Sequence, residues 1–280
     1  MAGILAEERI ELVHSNTSVL TLGYDLARRA GLKHVWHLRE FQDLDFGNRP
    51  LGGWAALKRK IHDSDASIAI TQAIARHFDV GPGRGGYVIH DAVRRAADTC
   101  LRFPKAKYLL FCGHIIPTKG AGLALELFAR FARTHPGYRL RYLGNADPRY
   151  QQRLEALAAR LGVGDSVEFL GYQADVRPCM EQAAALLMCS RNEAQGRVTV
   201  EAMFYCCPVL GFRAGGTAEI IEDGRTGYLF STPDEGAEKL SALADGDARP
   251  LAREAQAYAV ANFSEEVYRE KLLAVYSSLL

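Results

Sequence analysis

The chain has 280 residues, 48% of them hydrophobic and 24% charged, which is typical of a globular protein of about two domains. Lys and Arg number 34 against 33 Asp and Glu, so the net charge of +1 excludes a surface built throughout to attract nucleic acid. No apolar run approaches the ~20 residues that a membrane-spanning helix needs, and the beginning of the chain lacks the apolar stretch of a secretory signal. Six cysteines without a C-x-x-C pair favour a reduced, cytoplasmic chain without a metal site, and peripheral contact with the inner membrane stays open.

Short apolar runs alternate with helical patterns in the first third of the chain, which predicts a parallel sheet covered by helices. We expect strands at residues 11–14, 34–38, 67–70 and 87–89, and helices at 19–30, 54–63 and 71–78. Residues 94–104 interrupt this pattern, and we interpret them as a linker between two domains.

The alternation resumes at residue 105 and continues to the end of the chain. The expected strands are 108–112, 138–143, 166–170, 185–188, 208–211 and 227–230. The expected helices are 120–134, 148–161, 174–183, 197–205 and 217–221, followed by a helical tail at 235–280 with breaks near Asp245 and Asn262. This pattern is typical of a Rossmann-like domain with a parallel sheet.

The loop after the strand at 108–112 contains Gly113, His114 and Lys119. A glycine that leaves a strand allows a ligand to approach the backbone. A lysine at the beginning of the next helix adds its charge to the partial positive charge of the helix N-terminus, which suits a phosphate group. The spacing is not that of a Walker motif, and a solvent-exposed lysine is the alternative.

Two glutamates, Glu193 and Glu201, follow the strand at 185–188, with Gly196 between them. One lies in the loop and the other a turn into the next helix, so they can contact different parts of one ligand. The N–H groups next to Gly196 can face an anion, because the first turn of a helix has free donors. The alternative is a solvated Glu193 with Glu201 as an ordinary acid of the first helical turn.

Glycines also mark the ends of other strands in this half of the chain. Gly215 and Gly216 precede Thr217 at the beginning of a short helix, Gly144 ends another strand, and Tyr172 lies where it could stack on a base. Each is equally well explained as a structural turn. All of these loops nevertheless follow strands of one domain, and such folds bind nucleotides at that edge of the sheet.

Taken in chain order, these motifs resemble the carboxyl-terminal domain of glycosyltransferase family 4, the retaining enzymes of the GT-B fold. The resemblance covers residues 108–280, and the segments 13–16, 36–41, 70–75 and 88–93 are similar to the family as well. It implies an α/β protein of two Rossmann-like domains with parallel sheets that face each other across a cleft. These would be a shortened acceptor-side domain at 1–93 and a nucleotide-sugar-binding domain at 105–262, with the last helix, 263–280, crossing back to the first domain.

The activity that the resemblance implies is transfer of a hexose from a UDP- or GDP-linked sugar to a carbohydrate, lipid or small-molecule acceptor. The anomeric configuration would be kept, with no metal and no cofactor other than the donor itself. Lys119 would contact the diphosphate, Glu193 the donor sugar and Glu201 the ribose. Backbone groups would lie against the sugar and the phosphates at Gly196, Arg197, Val198, Gly215, Gly216 and Thr217. His14, at a strand end, would contact the acceptor or the donor sugar, or would be a structural histidine.

The sequence departs from the family pattern in two places. His114 occupies the position where the family usually has an arginine that accompanies the lysine, and Arg191 or Arg197 could compensate. The amino-terminal domain lacks the usual glycine-rich loop and first β/α units, so the chain is a naturally shortened member, is completed by another polypeptide, or has an incorrectly assigned start. A shortened sheet would expose an edge, which we expect to pair with a second copy or a partner chain. The alternative function is therefore a donor-binding subunit with weak or no activity of its own.

Overall fold

The computed structural model describes residues 2–280, which contain ten β-strands and thirteen α-helices. The strands are β1 (Leu12–Ser15), β2 (Lys33–Leu38), β3 (Ala66–Ala69), β4 (Gly86–Val88), β5 (Tyr108–Cys112), β6 (Arg139–Leu143), β7 (Val167–Gly171), β8 (Ala185–Met188), β9 (Val209–Phe212) and β10 (Tyr228–Phe230). The helices are α1 (Ala2–Glu7), α2 (Leu22–Ala30), α3 (Asp43–Phe46), α4 (Trp54–Asp63), α5 (Gln72–Phe78), α6 (Ala121–Ala132), α7 (Pro148–Arg160), α8 (Arg177–Gln182), α9 (Arg197–Phe204), α10 (Gly215–Ile220), α11 (Pro233–Asp245), α12 (Arg249–Phe263) and α13 (Glu265–Ser277).

The chain forms two compact units, and the first contains residues up to 92 together with 265–280. Its sheet has the order β1-β2-β3-β4, and all neighbouring strands pair in parallel. The last helix, α13, belongs to this unit because Val275 is buried against Val35 and Ile68 of the sheet.

The second unit, residues 93–264, contains a sheet of order β10-β9-β8-β5-β6-β7 in which all described strand pairs are parallel. This is the doubly wound Rossmann order. The direction of strand succession reverses between β5 and β8, and ligands of such sheets bind at the carboxyl ends of the strands on either side of that point. The loops that follow β5 and β8 are therefore the first place to look for a site.

Both faces of the second sheet are buried. Along β5, Tyr108 and Leu110 belong to one hydrophobic cluster, and Leu109 and Phe111 belong to another. Successive side chains of a strand point to opposite faces, so an unbroken apolar run fits a strand that is covered on both sides. Burying each large apolar side chain stabilises the fold by about 1.5–3 kcal/mol.

The structure differs from the sequence prediction in the segment 94–104. These residues belong to the second unit and are packed against it. The amide of Cys100 donates to the carbonyl of Phe204 at 3.2 Å, and Nε2 of Gln256 donates to the carbonyl of Cys100 at 2.8 Å. The segment was expected to be a linker because it lacks periodicity, but a backbone hydrogen bond joins it to the end of α9 and a hydrogen bond from the Gln256 side chain joins it to the middle of α12.

A short helix that the sequence analysis did not predict, α3, contains Asp43 and Asp45. Oδ2 of Asp45 accepts from the amide of Phe41 at 2.7 Å, and Oδ1 of Asp43 accepts from the amide of Leu44 at 2.9 Å. Both carboxylates thus make local hydrogen bonds. Across residues 2–280 the structure has no group of three or more His, Cys, Asp or Glu side chains that could hold a metal ion.

Candidate functional site

Three glycines line up at the carboxyl ends of neighbouring strands β5, β6 and β7. The amide of Gly113 donates to the carbonyl of Leu143, and the amide of Gly144 donates to the carbonyl of Gly171, both at 2.9 Å. Gly144 has a φ of 141°, and a Cβ atom there would lie 2.0 Å from the carbonyl oxygen of Gly113. Glycine is therefore required at 144 by the close approach of two backbone segments, whatever ligand lies beyond them.

Lys119 and Glu193 come from the loops after β5 and β8 and form an ion pair. Nζ of Lys119 donates to Oε1 of Glu193 at 2.6 Å. The two loops can touch because Gly120, which has a φ of 77°, packs closely on Cys189. A Cβ atom on residue 120 would lie only 2.2 Å from the carbonyl oxygen of Cys189. The Lys119 side chain is 41% exposed, so its charge is accessible from solvent, whereas that of Glu193 is 13% exposed.

Gly215 and Gly216 pack directly on the loop that carries Glu193. The amide of Gly216 donates to the carbonyl of Glu193 at 2.7 Å. A Cβ atom at Gly215 would lie 2.8 Å from the same carbonyl oxygen, and one at Gly216 would lie 2.6 Å from the carbonyl oxygen of Ala194. The turn after β9 therefore fixes the position of the Glu193 loop through backbone contacts that a larger residue would disrupt.

Two threonine hydroxyls surround Gly196, the residue that precedes α9. A Cβ atom at Gly196 would lie 3.3 Å from Oγ1 of Thr217 and 3.6 Å from Oγ1 of Thr199. Both hydroxyls are buried and have no hydrogen-bond partner within the described part of the chain. Buried polar groups normally have a partner. The helix α9 begins at Arg197, and because the first N–H groups of a helix lack a partner one turn earlier within it, the amides of Arg197 and Val198 can donate to a ligand beside Glu193.

Glu201 lies one turn into α9 and is paired with Arg94. Nη2 of Arg94 is 3.1 Å from Oε1 of Glu201, whose side chain is 16% exposed. Burial raises the pKa of Glu201 above its usual value, because it disfavours the charged form, while Arg94 and Arg197 act in the opposite direction. Arg94 was not predicted from the sequence, since it lies in the segment interpreted as a linker.

The remaining predicted side chains of the second unit lie mostly at its surface. His114 is exposed, and Tyr172 is 70% exposed. Arg197 is exposed and Val198 is half-buried at the beginning of α9. No hydrogen bond or ion pair joins the side chain of His114 to Lys119 or Glu193 among residues 2–280.

His14 lies in the first unit, where it is part of a separate polar cluster. Its Nδ1 is 2.5 Å from the hydroxyl of Tyr276, and its ring centroid is 5.4 Å from that of His37. Nη2 of Arg39 is 3.0 Å from Oδ1 of Asp91. Burial lowers the pKa of His37 to about 3 and also lowers the pKa of His14, and the charge of Arg39 adds to both effects. Both imidazoles are therefore neutral near pH 7.

The second unit thus combines the accessible cation of Lys119, the carboxylates of Glu193 and Glu201 and the donors of a helix N-terminus at the carboxyl edge of its sheet. The cation and the helix donors suit an anion such as a diphosphate. Carboxylates accept hydrogen bonds from hydroxyl groups. The combination suits a ligand that has both a diphosphate and hydroxyl groups. No helix described within residues 2–280 is both long and apolar enough to cross a membrane.

The two parallel sheets have the architecture of GT-B glycosyltransferases. The crystal structure of HepE from Anabaena in complex with UDP superposes with a TM-score of 0.87, covering 99% of this chain and 82% of that chain at 22% sequence identity. HepE in complex with UDP-glucose has a TM-score of 0.83 over the same 99% and 82%, also at 22% identity. At this identity the likeness shows the fold.

The sequence defines the family more narrowly. Residues 98–260 match the model of the glycosyl transferases group 1 family, and the chain belongs to this family. The D-inositol 3-phosphate glycosyltransferase of Acidothermus cellulolyticus is 33% identical over 187 residues, which are 61% of this chain and 41% of that relative. The match therefore spans less than half of the relative's length.

Proposed function

We propose that this protein is a retaining, metal-independent hexosyltransferase, similar to family 4, that uses a UDP- or GDP-linked sugar. The observation that carries the proposal is the meeting of Lys119, Glu193 and the Gly215–Gly216 turn at one edge of the second sheet. Two kinds of relative support it: a solved structure of the same fold contains UDP-glucose, and a curated relative is named a glycosyltransferase.

The diphosphate of the donor would lie against Lys119 and the first turn of α9. Negative charge collects on the diphosphate as the bond to the sugar breaks. A fixed cation and fixed N–H donors stabilise that charge without reorganising. Their presence at the site is the reason for proposing that the reaction needs no metal ion. Lys119 would exchange its present partner Glu193 for the diphosphate, or would contact both.

The two carboxylates would hold the two sugars of the donor. Glu193 would accept hydrogen bonds from hydroxyls of the hexose, and Glu201 would accept them from the ribose. Glu193 is held by Lys119 at 2.6 Å and by its loop on Gly216, so its position is fixed before the donor binds. If Lys119 contacts both groups, Glu193 stays paired with a cation while the donor is bound, and a carboxylate paired in this way is a poor nucleophile, which favours a positioning role over a covalent one.

The proposed step keeps the configuration because the acceptor attacks from the face that the diphosphate leaves. The bond between C1 of the hexose and the diphosphate oxygen breaks with its electron pair staying on that oxygen. A bond forms between C1 and the acceptor hydroxyl oxygen. The hydroxyl proton moves to an oxygen of the departing diphosphate, so no protein base is required.

The acceptor would be bound by the first unit, with His14 as the residue in contact with it. Nε2 of the neutral His14 imidazole has no hydrogen-bond partner among the described residues, which motivates the proposed contact. Because this nitrogen is buried, the side chains around it would have to move before it could exchange a hydrogen bond with an acceptor hydroxyl. A carbohydrate, a lipid or a small molecule such as the inositol phosphate in the relative's name would satisfy this contact. His14→Ala is then expected to slow transfer without weakening nucleotide binding.

The test is incubation of the purified chain with UDP- and GDP-hexoses in the presence of a metal chelator. Release of the nucleoside diphosphate is measured, and the anomeric configuration of the product is read by NMR, with Glu193→Ala as the control. Turnover with retained configuration is expected, and a product of inverted configuration would overturn the mechanism. Donor binding without hydrolysis or transfer would instead identify the chain as a donor-binding subunit.

A further inference from the structure

Arg94 makes a set of contacts in the second unit that the proposed reaction does not explain. Its Nη2 pairs with Oε1 of Glu201 at 3.1 Å, and its Nε donates to the hydroxyl of Tyr205 at 2.8 Å. Both partners lie on or directly after α9, four residues apart. A single guanidinium therefore contacts the carboxylate and a second group one helical turn away, which fixes its orientation.

The backbone of Arg94 is held as well. Arg94 forms a parallel β-bridge with Ser264, and the amide of the preceding Val93 donates to the carbonyl of Phe263 at 3.0 Å. The side chain thus extends from a fixed backbone to Glu201. Held in this way, the guanidinium loses little conformational freedom when it binds the carboxylate.

We infer that Arg94 is a positioning residue that keeps Glu201 ionised and oriented for the ribose of the donor. The inference rests on the proposed function, since it takes Glu201 as the ribose contact. A carboxylate has about four acceptor positions, so one bond to Arg94 leaves capacity for ribose hydroxyls. Without a cation beside it, a carboxyl in this buried position would hold its proton and lose acceptor strength.

Among the described residues, Arg94 is the group that forms an ion pair with Glu201, and the other charged or titratable groups near this carboxylate do not pair with it. Arg197 acts on the carboxylate through its charge from the first turn of α9, and its own side chain is exposed. Cys112, at the end of β5, interacts electrostatically with Glu201, and burial raises the pKa of its thiol to about 12, so it stays uncharged. The hydroxyl of Tyr205 accepts from Nε of Arg94, the same guanidinium that pairs with Glu201.

The experiment compares the dissociation constants of UDP and 2′,3′-dideoxy-UDP, or of the matching GDP pair if the chain prefers guanine, by calorimetry over a range of pH. Wild type is expected to prefer the ribose form by about tenfold or more, the usual size of a hydrogen bond to a charged group. Arg94→Met is expected to reduce this preference to about twofold, which corresponds to a weak neutral hydrogen bond. Arg94→Lys, which keeps the charge but loses the Nε contact with Tyr205, is expected to keep the wild-type pH profile and only part of the preference.

The pH profile separates this role from a structural one. As pH falls, the ribose preference should disappear at a higher pH in Arg94→Met than in wild type, because Glu201 takes up its proton earlier. In a Glu201→Gln background, Arg94→Met should cause no further loss of preference. A wild-type preference and an unchanged pH profile in Arg94→Met would overturn the inference and leave the proposed function intact.

Two further results complete the test. If neither UDP nor GDP binds wild type, the proposed function fails and this inference fails with it. If Arg94→Met does not fold, Tyr205→Phe replaces it, since that variant loosens the guanidinium without removing its charge. It should reduce the ribose preference with little change in the pH profile, and a wild-type preference in Tyr205→Phe would contradict the inference.

Discussion

Nζ of Lys119 lies 2.6 Å from Oε1 of Glu193, although the two residues are 74 positions apart in the chain. They meet because β5 and β8 are neighbours at the point where strand succession reverses, so the loops after both strands share one edge of the sheet. The pair joins the cation proposed for the diphosphate to the carboxylate proposed for the sugar. Each of the two can be removed separately, which makes the proposal testable.

Glu193→Gln is expected to reduce transfer by about 10²-fold or more, as removal of one preorganised group commonly does. The affinity for UDP without a sugar should stay the same or increase, because Lys119 loses a competing carboxylate. Initial rates and calorimetry measure the two effects. Glu168→Gln is the matched control, since Glu168 forms ion pairs of similar length with Arg139 and Arg141. Equal loss of transfer in both variants would contradict a specific role for Glu193.

Gly216→Ala should weaken donor binding by about tenfold or more, because overpacking of this kind costs about 1–3 kcal/mol. Its Cβ atom would lie 2.6 Å from the carbonyl oxygen of Ala194, so the Glu193 loop must move. Gly164→Ala is the control, because its nearest neighbours lie 3.7 Å away, in ordinary contact. Donor titrations of the two variants decide the point, and an unaffected Gly216→Ala protein would show that the loop is not part of the site.

The strands and most of the helices could be predicted because their sequence pattern is local. An apolar run such as Tyr108–Cys112, ended by a glycine, indicates a buried strand without any knowledge of its neighbours. The four-residue helix Asp43–Phe46 could not be found in this way, since it is too short to show a period and begins after Gln42 with a φ of 74°.

The polar contacts of the site depend on the tertiary structure. Arg94 contacts Glu201 because its segment packs on the second unit, and no spacing in the sequence encodes that contact. The polar cluster of His14, His37, Arg39 and Asp91 likewise combines residues from different segments of the first unit. The sequence indicated which loops carry candidate residues, and the fold determined which of those residues meet.

His114→Arg is expected to raise the affinity for UDP or GDP by about tenfold, since a guanidinium can form charge-assisted bonds to phosphate oxygens. The exposed His114 follows Gly113 at the end of β5, in the loop that carries Lys119. Gln152→Arg, on the exposed surface of α7, controls for the added charge. Calorimetry at constant ionic strength distinguishes the two, and an equal gain in both variants would mean that only net charge matters.

Acidification is expected to destabilise the first unit, because burial lowers the pKa of His37 to about 3 and that of His34 to about 4. The unfolded chain takes up protons at these histidines below about pH 6.5, whereas the folded chain does not, so stability falls as pH falls through that window. Between about pH 7 and pH 5, each of these two histidines should lower the free energy of unfolding by about 2 kcal/mol.

The two tryptophans, Trp36 and Trp54, both lie in the first unit, so their fluorescence during urea unfolding reports on it. His37→Leu should reduce the loss of stability between the two pH values by about the contribution of one histidine. The same loss in His37→Leu as in wild type would mean that the buried imidazole does not control this response.

The most direct test of the account is calorimetric titration with UDP and with GDP in the presence of a chelator, for wild type, Lys119→Met and the exposed control Lys107→Met. One of the two nucleotides should bind wild type and Lys107→Met equally, and Lys119→Met should bind it about tenfold or more weakly, as expected for loss of a charge-assisted bond. Failure of both nucleotides to bind wild type, or equal binding by Lys119→Met, would contradict the proposal that a nucleoside diphosphate lies beside Lys119.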